Sequence, residues 1–270
     1  MIGYLGPEGT YSEIAASRLD GKAEKKAFHS FPLLINALKN GEIDSAAIPV
    51  ENSVNGAVAQ NLDLLQDLQG VCAVAACAVK IDHRLVTKKG ADLSKIKRIY
   101  SHAQALGQCA RYLNANFPAA VLMQSQSTSG CFEQIKSEED AGIVGAQCSR
   151  EGFELSKECI SDEINNYTLF LLVVRGQPRT DMPSDRIFFS MTCRHEVGAL
   201  VRMLSILSEN GLNMTKIESR PIKDRVWEFR FFIEVEGDYS RKKVRAAIDK
   251  VGAQASSFKL LGCYTADLPK

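Results

Sequence analysis

Hydrophobic and polar positions follow two rhythms along this chain, and the switches between them predict short strands alternating with amphipathic helices. Ile2–Leu5 is an apolar run entering a turn of Gly6, Pro7, Glu8, Gly9 and Thr10, after which Tyr11–Leu19 carries a helical period. Residues 31–38 predict a helix with Pro32 in its first turn, where the missing N–H costs nothing. Residues 46–50 read as a buried strand leading into the polar turn Glu51, Asn52, Ser53. Val58, Leu62 and Leu65 then recur on one helical face. Strand, turn and helix repeated in this way imply an α/β layer architecture.

A second unit of the same class follows over residues 76–165. Ile99 and Tyr100 form a strand, a helix runs from His102 to about residue 114, and residues 119–123 and 141–145 are strands. Between these two strands lies a hydroxyl-rich helix start at residues 125–130. The eight-residue apolar run 167–174 predicts a strand returning to the first unit. The expectation is two lobes, one about 1–75 plus 166–178 and the other about 76–165, with a cleft between them. Pro178, Pro183 and Gly176 mark the break that follows, which places a linker at 179–186. Residues 187–270 then read strand, helix, strand, strand, helix, strand. The first of these helices carries Leu200, Met203, Leu204 and Leu207 on one face and stops at Asn210 and Gly211. A turn at residues 223–225 separates strands expected at 212–219 and 226–235, and the order βαββαβ is the ferredoxin-like pattern.

Composition narrows the function classes. The 270 residues are 45% hydrophobic and 24% charged, as in ordinary soluble domains. The longest apolar run, residues 71–79, falls well short of the roughly 20 needed to span a bilayer. The first residues show no basic, then apolar, leader pattern, so a cytoplasmic location is expected. A net charge of +1 and short basic clusters without interleaved aromatics argue against nucleic-acid or membrane-surface partners. The 8 cysteines include no CxxC pair and read as reduced thiols, and the 4 histidines are too scattered to predict a metal site.

Candidate chemistry lies at helix starts rich in glycine and hydroxyls: Gly6 to Ser12, Glu51 to Ser53, and Ser127 to Gly130. Free N–H groups there suit carboxylate or phosphate, although Ser, Thr and Asn at such places are also ordinary caps. All three starts follow predicted strands, the usual place for ligands in open α/β sheets. Nucleotide-binding, serine-hydrolase and zinc-hydrolase motifs are absent from the sequence.

The segments Gly6-Pro7-Glu8-Gly9-Thr10-Tyr11-Ser12-Glu13, Ile48-Pro49-Val50-Glu51-Asn52-Ser53-Val54-Asn55-Gly56 and Ser101-His102-Ala103-Gln104-Ala105-Leu106 resemble signatures of prephenate dehydratases. Asn166-Tyr167-Thr168-Leu169-Phe170 stands at that family's Thr-Arg-Phe motif. Gly198-Ala199-Leu200-Val201 and Glu218-Ser219-Arg220-Pro221 resemble the phenylalanine-sensing form of the ACT domain. The resemblance implies a catalytic part at 1–178 with two lobes like a periplasmic binding protein, and an ACT regulatory domain at 187–270. It further implies loss of CO₂ and water from prephenate to give phenylpyruvate, allosteric control by phenylalanine, no cofactor or metal, and a homodimer or homotetramer.

By the same resemblance Thr168 is the catalytic hydrogen-bond donor beside the leaving hydroxyl. Thr10, Asn52, Ser53, Ser127, Thr128, Asn166 and Phe170 would contact the substrate. Phenylalanine would bind at Gly198, Ala199, Leu200, Leu212, Asn213, Glu218 and Ser219, with Leu200 and Leu212 lining one apolar slot for its ring. The sequence departs from the family at Leu169, where an arginine is usual, at Ser129-Gly130-Cys131, at Asn61 and at Arg194-His195-Glu196-Val197. Thr168 and Leu169 point to opposite faces of a strand, which puts Leu169 behind the site. Those departures keep open an arogenate dehydratase, a prephenate decarboxylase that does not aromatise its product, or a catalytically silent phenylalanine sensor.

Overall fold

A computed structural model describes residues 1–125, 128–223, 225 and 227–269. Its first lobe contains β1 (Ile2–Leu5), α1 (Tyr11–Leu19), β2 (Lys25–Phe28), α2 (Phe31–Asn40), β3 (Ser45–Asn52), β4 (Gly56–Ala57), α3 (Ala59–Asp67) and β5 (Val71–Lys80). The second lobe contains β6 (His83–Lys88), β7 (Arg98–Ser101), α4 (Ala103–Gln108), α5 (Ala110–Asn116), β8 (Val121–Gln124), β9 (Asp140–Gly145) and β10 (Phe153–Leu155). The chain returns through β11 (Tyr167–Arg175). The C-terminal domain is β12 (Arg186–Thr192), α6 (Ala199–Glu209), β13 (Met214–Pro221), β14 (Phe229–Glu236), α7 (Lys242–Gln254) and β15 (Ser257–Asp267), in the expected βαββαβ order.

Two sheets organise these elements. The smaller has five strands in the order β10-β6-β9-β7-β8 and is the second lobe. The larger runs β13-β14-β12-β15-β5-β11-β3-β1-β2, with β4 attached to β3. It therefore crosses from the C-terminal domain into the first lobe through parallel pairing of β15 with β5. The lobe boundary falls later than expected, because β5 stays in the large sheet as far as Lys80. The connection between β11 and β12 covers residues 176–185.

Side-chain alternation assigns the two faces of the first lobe. On β11, Phe170 packs with Tyr4, Ala15 and Ala16 on the α1 face. Leu171 and Val173 join Leu34 and Leu38 of α2 and Leu62 and Leu65 of α3 on the other. That second core also takes in Phe188, Phe232, Leu261 and Tyr264 of the C-terminal sheet, so the sheet is buried on both faces. Its far face packs on α6 and α7 through Phe189, Met203, Leu207, Ile233, Ile248 and Val251.

Local signals explain the helix ends. Ser30 caps α2 through its side chain, Pro32 sits in the first turn, and Gly41 closes the helix with φ 80°. The single helix expected from His102 to about residue 114 is broken at Cys109, giving α4 and α5. The helix start expected near residue 128 is a 3₁₀ turn at Ser129–Glu133. Among the described residues no helix is long and apolar enough to cross a membrane. All eight cysteines are free thiols.

Candidate active site

Between the lobes lies a cavity of about 530 Å³, lined from the first lobe by Thr10, Tyr11, Ser12, Pro49, Asn52, Gln60, Thr168 and Phe170, among others. The second lobe contributes His83, His102, Gln104, Gln108 and Thr128. Among the described lining residues there is no carboxylate, lysine or arginine.

The polar centre of this cleft is Asn52, at the end of β3 and 5% exposed. Its Oδ1 accepts from the backbone N–H groups of Val54 (3.1 Å) and Asn55 (2.9 Å). These two bonds fix which end of the amide is which, so Nδ2 faces β11. There it donates to Asn166 Oδ1 at 2.7 Å and to Thr168 Oγ1 at 3.0 Å. Thr168 Oγ1 therefore accepts a hydrogen bond from Asn52, and its own O–H remains to be donated into the cleft. An oxygen that accepts one hydrogen bond is polarised into a better donor for the next.

Helix starts supply positive potential in place of cationic side chains. Thr10, the N-cap residue of α1, turns its Oγ1 to the carbonyl of Leu5 (3.0 Å) and does not cap the helix. Val58 precedes α3 and has no side chain able to cap it. Both nine-residue helices thus begin at the cleft without a cap from the N-cap side chain. The first turn of α1 already holds the Glu13 carboxylate, which accepts from Gly9 N–H at 2.8 Å, whereas that of α3 has no acidic residue and offers its amide N–H groups and dipole to an anion. His102 starts α4 and accepts from Gln104 N–H through Nδ1 (3.3 Å).

His83 was not anticipated from the sequence. Gln108 Nε2 donates to Asn55 Oδ1 (3.3 Å), so its Oε1 faces His83 and accepts a hydrogen bond from Nε2–H at 2.9 Å. Burial holds the imidazole below its ordinary pKa, which keeps it neutral. Tyr11 packs edge-on against this ring at 5.9 Å and donates through its hydroxyl to the carbonyl of Asp82 (2.8 Å), joining α1 to the start of the second lobe.

Of the substrate contacts expected from the sequence, Thr10, Asn52, Thr128, Thr168 and Phe170 line the cleft together. Ser53 does not. Its Oγ is engaged with the backbone of Asn165 (3.2 Å) and Tyr167 (2.9 Å), where it ties the end of β3 to the start of β11. Asn166 stands behind Asn52, 1% exposed, and borders a neighbouring cavity of about 470 Å³ with Gln104 and Gln108. It does not line the cleft, but its Oδ1 accepts from Asn52 Nδ2 and its carbonyl from Ile81 N–H, both residues of the lining. Ser127 lies outside the described residues.

The expected effector residues fall into separate groups. Gly198 (φ 76°) starts α6, and Ala199 and Leu200 border a cavity of about 470 Å³ with His195, Trp227 and Phe229. Leu212 and Asn213 border another, of about 530 Å³, beyond the opposite end of α6. Eleven helical residues separate the two by about 16 Å. Leu200 and Leu212 of one chain therefore cannot line a single slot. Glu218 and Ser219 lie on β13, the edge strand of the large sheet.

Comparison with known proteins agrees with this geometry. The prephenate dehydratase family profile matches residues 2–178, and the ACT domain profile matches residues 187–253. This chain belongs to the prephenate dehydratase family. A bifunctional chorismate mutase/prephenate dehydratase of Neisseria gonorrhoeae is 35% identical, over 97% of this chain and 74% of that protein. The crystal structure of an Arthrobacter aurescens prephenate dehydratase in complex with L-Phe superposes with a TM-score of 0.88 at 27% identity, covering 98% of this chain and 89% of the other. A quorum-quenching acylase, GqqA, has a TM-score of 0.85 at 24% identity, covering 98% of both chains, a likeness that shows the fold alone. The βαββαβ domain is the ACT domain of the family frame, and the cleft lies within the part that the dehydratase profile matches.

Proposed function

We propose that this chain converts prephenate to phenylpyruvate in the cleft at Thr168, under control by phenylalanine bound at the ACT domain. The observation that carries the reading is the chain of hydrogen bonds from the Val54 and Asn55 amides through Asn52 to Thr168 Oγ1. In the reaction the ring carboxylate leaves as CO₂, and the electron pair of its C–C bond enters the ring. The C–O bond at the far ring carbon breaks, and the departing oxygen takes one proton to leave as water. The proton that completes the water comes from solvent. The Thr168 O–H donates a hydrogen bond to that oxygen as its charge develops and keeps its own proton, while Asn52 Nδ2 polarises Oγ1, an oxyanion-hole type of stabilisation.

The substrate is a dianion and the lining holds no cationic side chain among its described residues, so orientation rests on the start of α3. The side-chain carboxylate belongs at these N–H groups. The ring carboxylate belongs against the apolar wall of Phe31, Ile81 and Phe170, where solvation does not hold it in its charged form. Neutral His83 and Gln108 close the second-lobe side.

For the effector, the distance between the two ends of α6 favours a composite site. The Gly198-Ala199-Leu200 turn of one protomer and the Leu212-Asn213 turn of a second copy form it together, in a homodimer. Exposed Met214 and Ile217 on the open edge of β13 give such a pairing apolar surface. The phenylalanine bound to the Arthrobacter protein supports that choice of effector.

The test is chemical. Purified protein incubated with prephenate should yield phenylpyruvate, read as its enolate absorbance in base. Arogenate in its place should yield little phenylalanine. No product from prephenate overturns the reading, and faster turnover of arogenate reassigns the substrate.

A further inference from the structure

Asn52 reaches the cleft only because β3 is irregular. On this strand Ala46, Ile48 and Val50 pack on the α2 and α3 face, while Ala47 packs on the α1 face and Pro49 lines the cleft. Strict alternation would send residue 51 to the cleft and residue 52 away from it. Instead the register with β11 jumps from Glu51 opposite Leu169 to Pro49 opposite Phe170, leaving Val50 as the extra residue of a β-bulge. A bulge re-aims the side chains that follow it, and a proline, lacking an N–H, is at home beside one. Past it Asn52 stands opposite Thr168 on the cleft face, and Glu51 faces the ACT domain.

A side chain of the ACT domain holds this irregularity. Lys216, on β13, extends its ammonium between β3 and the ACT sheet with its side chain only 7% exposed. Nζ donates to Glu51 Oε2 at 2.7 Å and to the carbonyl of Val50 at 3.3 Å, spanning the bulged residue and the one after it. The same carbonyl accepts from Val58 N–H at 3.0 Å, and Asn61 Nδ2 donates to the carbonyl of Pro49 at 2.8 Å. The bulge is thus braced from α3 and from the regulatory domain at once. Two residues beyond Lys216 on the same strand is Glu218.

We propose that Lys216 is a positioning residue for the dehydratase reaction: it fixes the β3 bulge that aims Asn52 at Thr168, and so places part of the catalytic geometry under the ACT domain. The inference rests on the dehydratase reading above. Lys216 touches neither cleft nor substrate. Its loss leaves binding surfaces in place and loosens only the alignment of a group that acts in the transition state, so kcat suffers and KM does not.

The experiment uses the full chain with Lys216→Met, Lys216→Arg and Glu51→Gln, measuring kcat and KM on prephenate, the melting temperature, and phenylalanine binding by calorimetry. Lys216→Met should lower kcat tenfold or more with KM within threefold, a folded melting transition at the assay temperature, and phenylalanine still bound. Lys216→Arg, which keeps the charge and the donors, should recover most of that loss. Glu51→Gln alters the pair without touching the ACT domain and should lower kcat threefold or more, which keeps the test alive if the Met variant does not fold. Wild-type kcat in both Lys216→Met and Glu51→Gln overturns the assignment while leaving the dehydratase reading intact. A rise in KM with kcat unchanged also overturns it. Wild-type protein that makes no phenylpyruvate overturns both.

Discussion

The two lobes that enclose the cleft are joined to the rest of the molecule in different ways. The first is continuous with the ACT domain: β5 pairs with β15, and Phe188, Phe232, Leu261 and Tyr264 share a core with α2 and α3. Polar contacts reinforce the union. Lys259 Nζ donates to carbonyls of Leu65, Gln66 and Leu68 at the end of α3, and Arg220 pairs with Asp63 at 2.8 Å. The second lobe has its own sheet and meets the first through side chains near the cleft. Among the described residues these include Tyr11 on Asp82, and Gln147 Nε2 and Cys148 Sγ on the carbonyl of Gly9 (2.8 and 3.2 Å). Interfaces of that kind open at lower cost than a shared core. A signal from the regulatory domain therefore reaches the Asn52–Thr168 side first.

The largest effect expected from this division belongs to the first lobe. Thr168→Ala should lower kcat on prephenate by about 10²–10³, the usual loss for one oxyanion-hole donor. Its melting temperature should stay close to wild type, because the residue is half-exposed at the cleft. Near-normal kinetics in this variant would remove Thr168 from the chemistry and with it the functional difference between the lobes.

In the second lobe the larger expected effect is on stability. Asp140, 1% exposed, accepts from Arg98 Nε (2.6 Å), Ser137 N (2.8 Å), Ser137 Oγ (2.9 Å) and Lys136 N (3.0 Å). Burial alone would raise its pKa, but these donors outweigh it and hold the group at about 2. An unfolded aspartate titrates near 3.9. The stabilisation is therefore fully present above about pH 4 and is lost as the pH falls towards 2. Asp140→Asn should cost about 2 kcal/mol near neutral pH, as for a hydrogen-bonded charged group, and should flatten the acid limb of the stability profile. Proteolysis ought to find the variant's second lobe first while phenylalanine binding persists. A uniform loss across the whole molecule would mean the lobes are more tightly coupled than their contacts indicate.

A smaller effect should separate binding from chemistry. Gln104 lines the cleft from the second lobe and has no bond to Thr168 or Asn52 among the described contacts. Gln104→Ala should raise KM about three- to tenfold, the scale of one lost hydrogen bond, with kcat changed less than threefold. A fall in kcat with KM unchanged would place the second lobe in the chemical step.

Much of this contrast was legible in the chain, and the part that was not has physical causes. The βαββαβ order, the returning strand near residues 167–174 and the cleft between lobes follow from periodicity. Thr10, Asn52 and Thr128 stand at helix starts rich in glycine and hydroxyls, whereas Thr168 was indicated only by the resemblance to the family's Thr-Arg-Phe motif. The bulge at Val50 did not show, because residues 46–50 read as an unbroken apolar run and only Pro49 hinted at a fault in the ladder. His83 and Gln108 lie 25 residues apart and acquire their relation only when β6 and α4 meet. Ser53 has the side chain of a ligand contact and spends it on backbone. Phe188 and Phe189, adjacent and both fully buried, were the available sign that the C-terminal sheet is covered on two faces.

The smallest expected effect concerns the position where this chain departs from its family. Leu169 packs at the margin of the α2 and α3 core and stands directly opposite Glu51, on the face of β11 that points away from the cleft. An arginine introduced there does not arrive without a partner, since the Glu51 side chain is 40% exposed and within cross-strand reach. Lys216 already occupies that carboxylate at 2.7 Å. The new guanidinium would share it, losing apolar contact and gaining an ion pair that each amount to about 1 kcal/mol or less. Leu169→Arg should therefore shift stability by less than about 1 kcal/mol in either direction and leave kcat within threefold of wild type. Combined with Lys216→Met the arginine has the carboxylate to itself, and the double variant should be more active than Lys216→Met alone. A tenfold gain in kcat from Leu169→Arg by itself, about 1.4 kcal/mol of barrier, would show that the first lobe works below its capacity in this protein and that Lys216 only partly replaces the missing arginine.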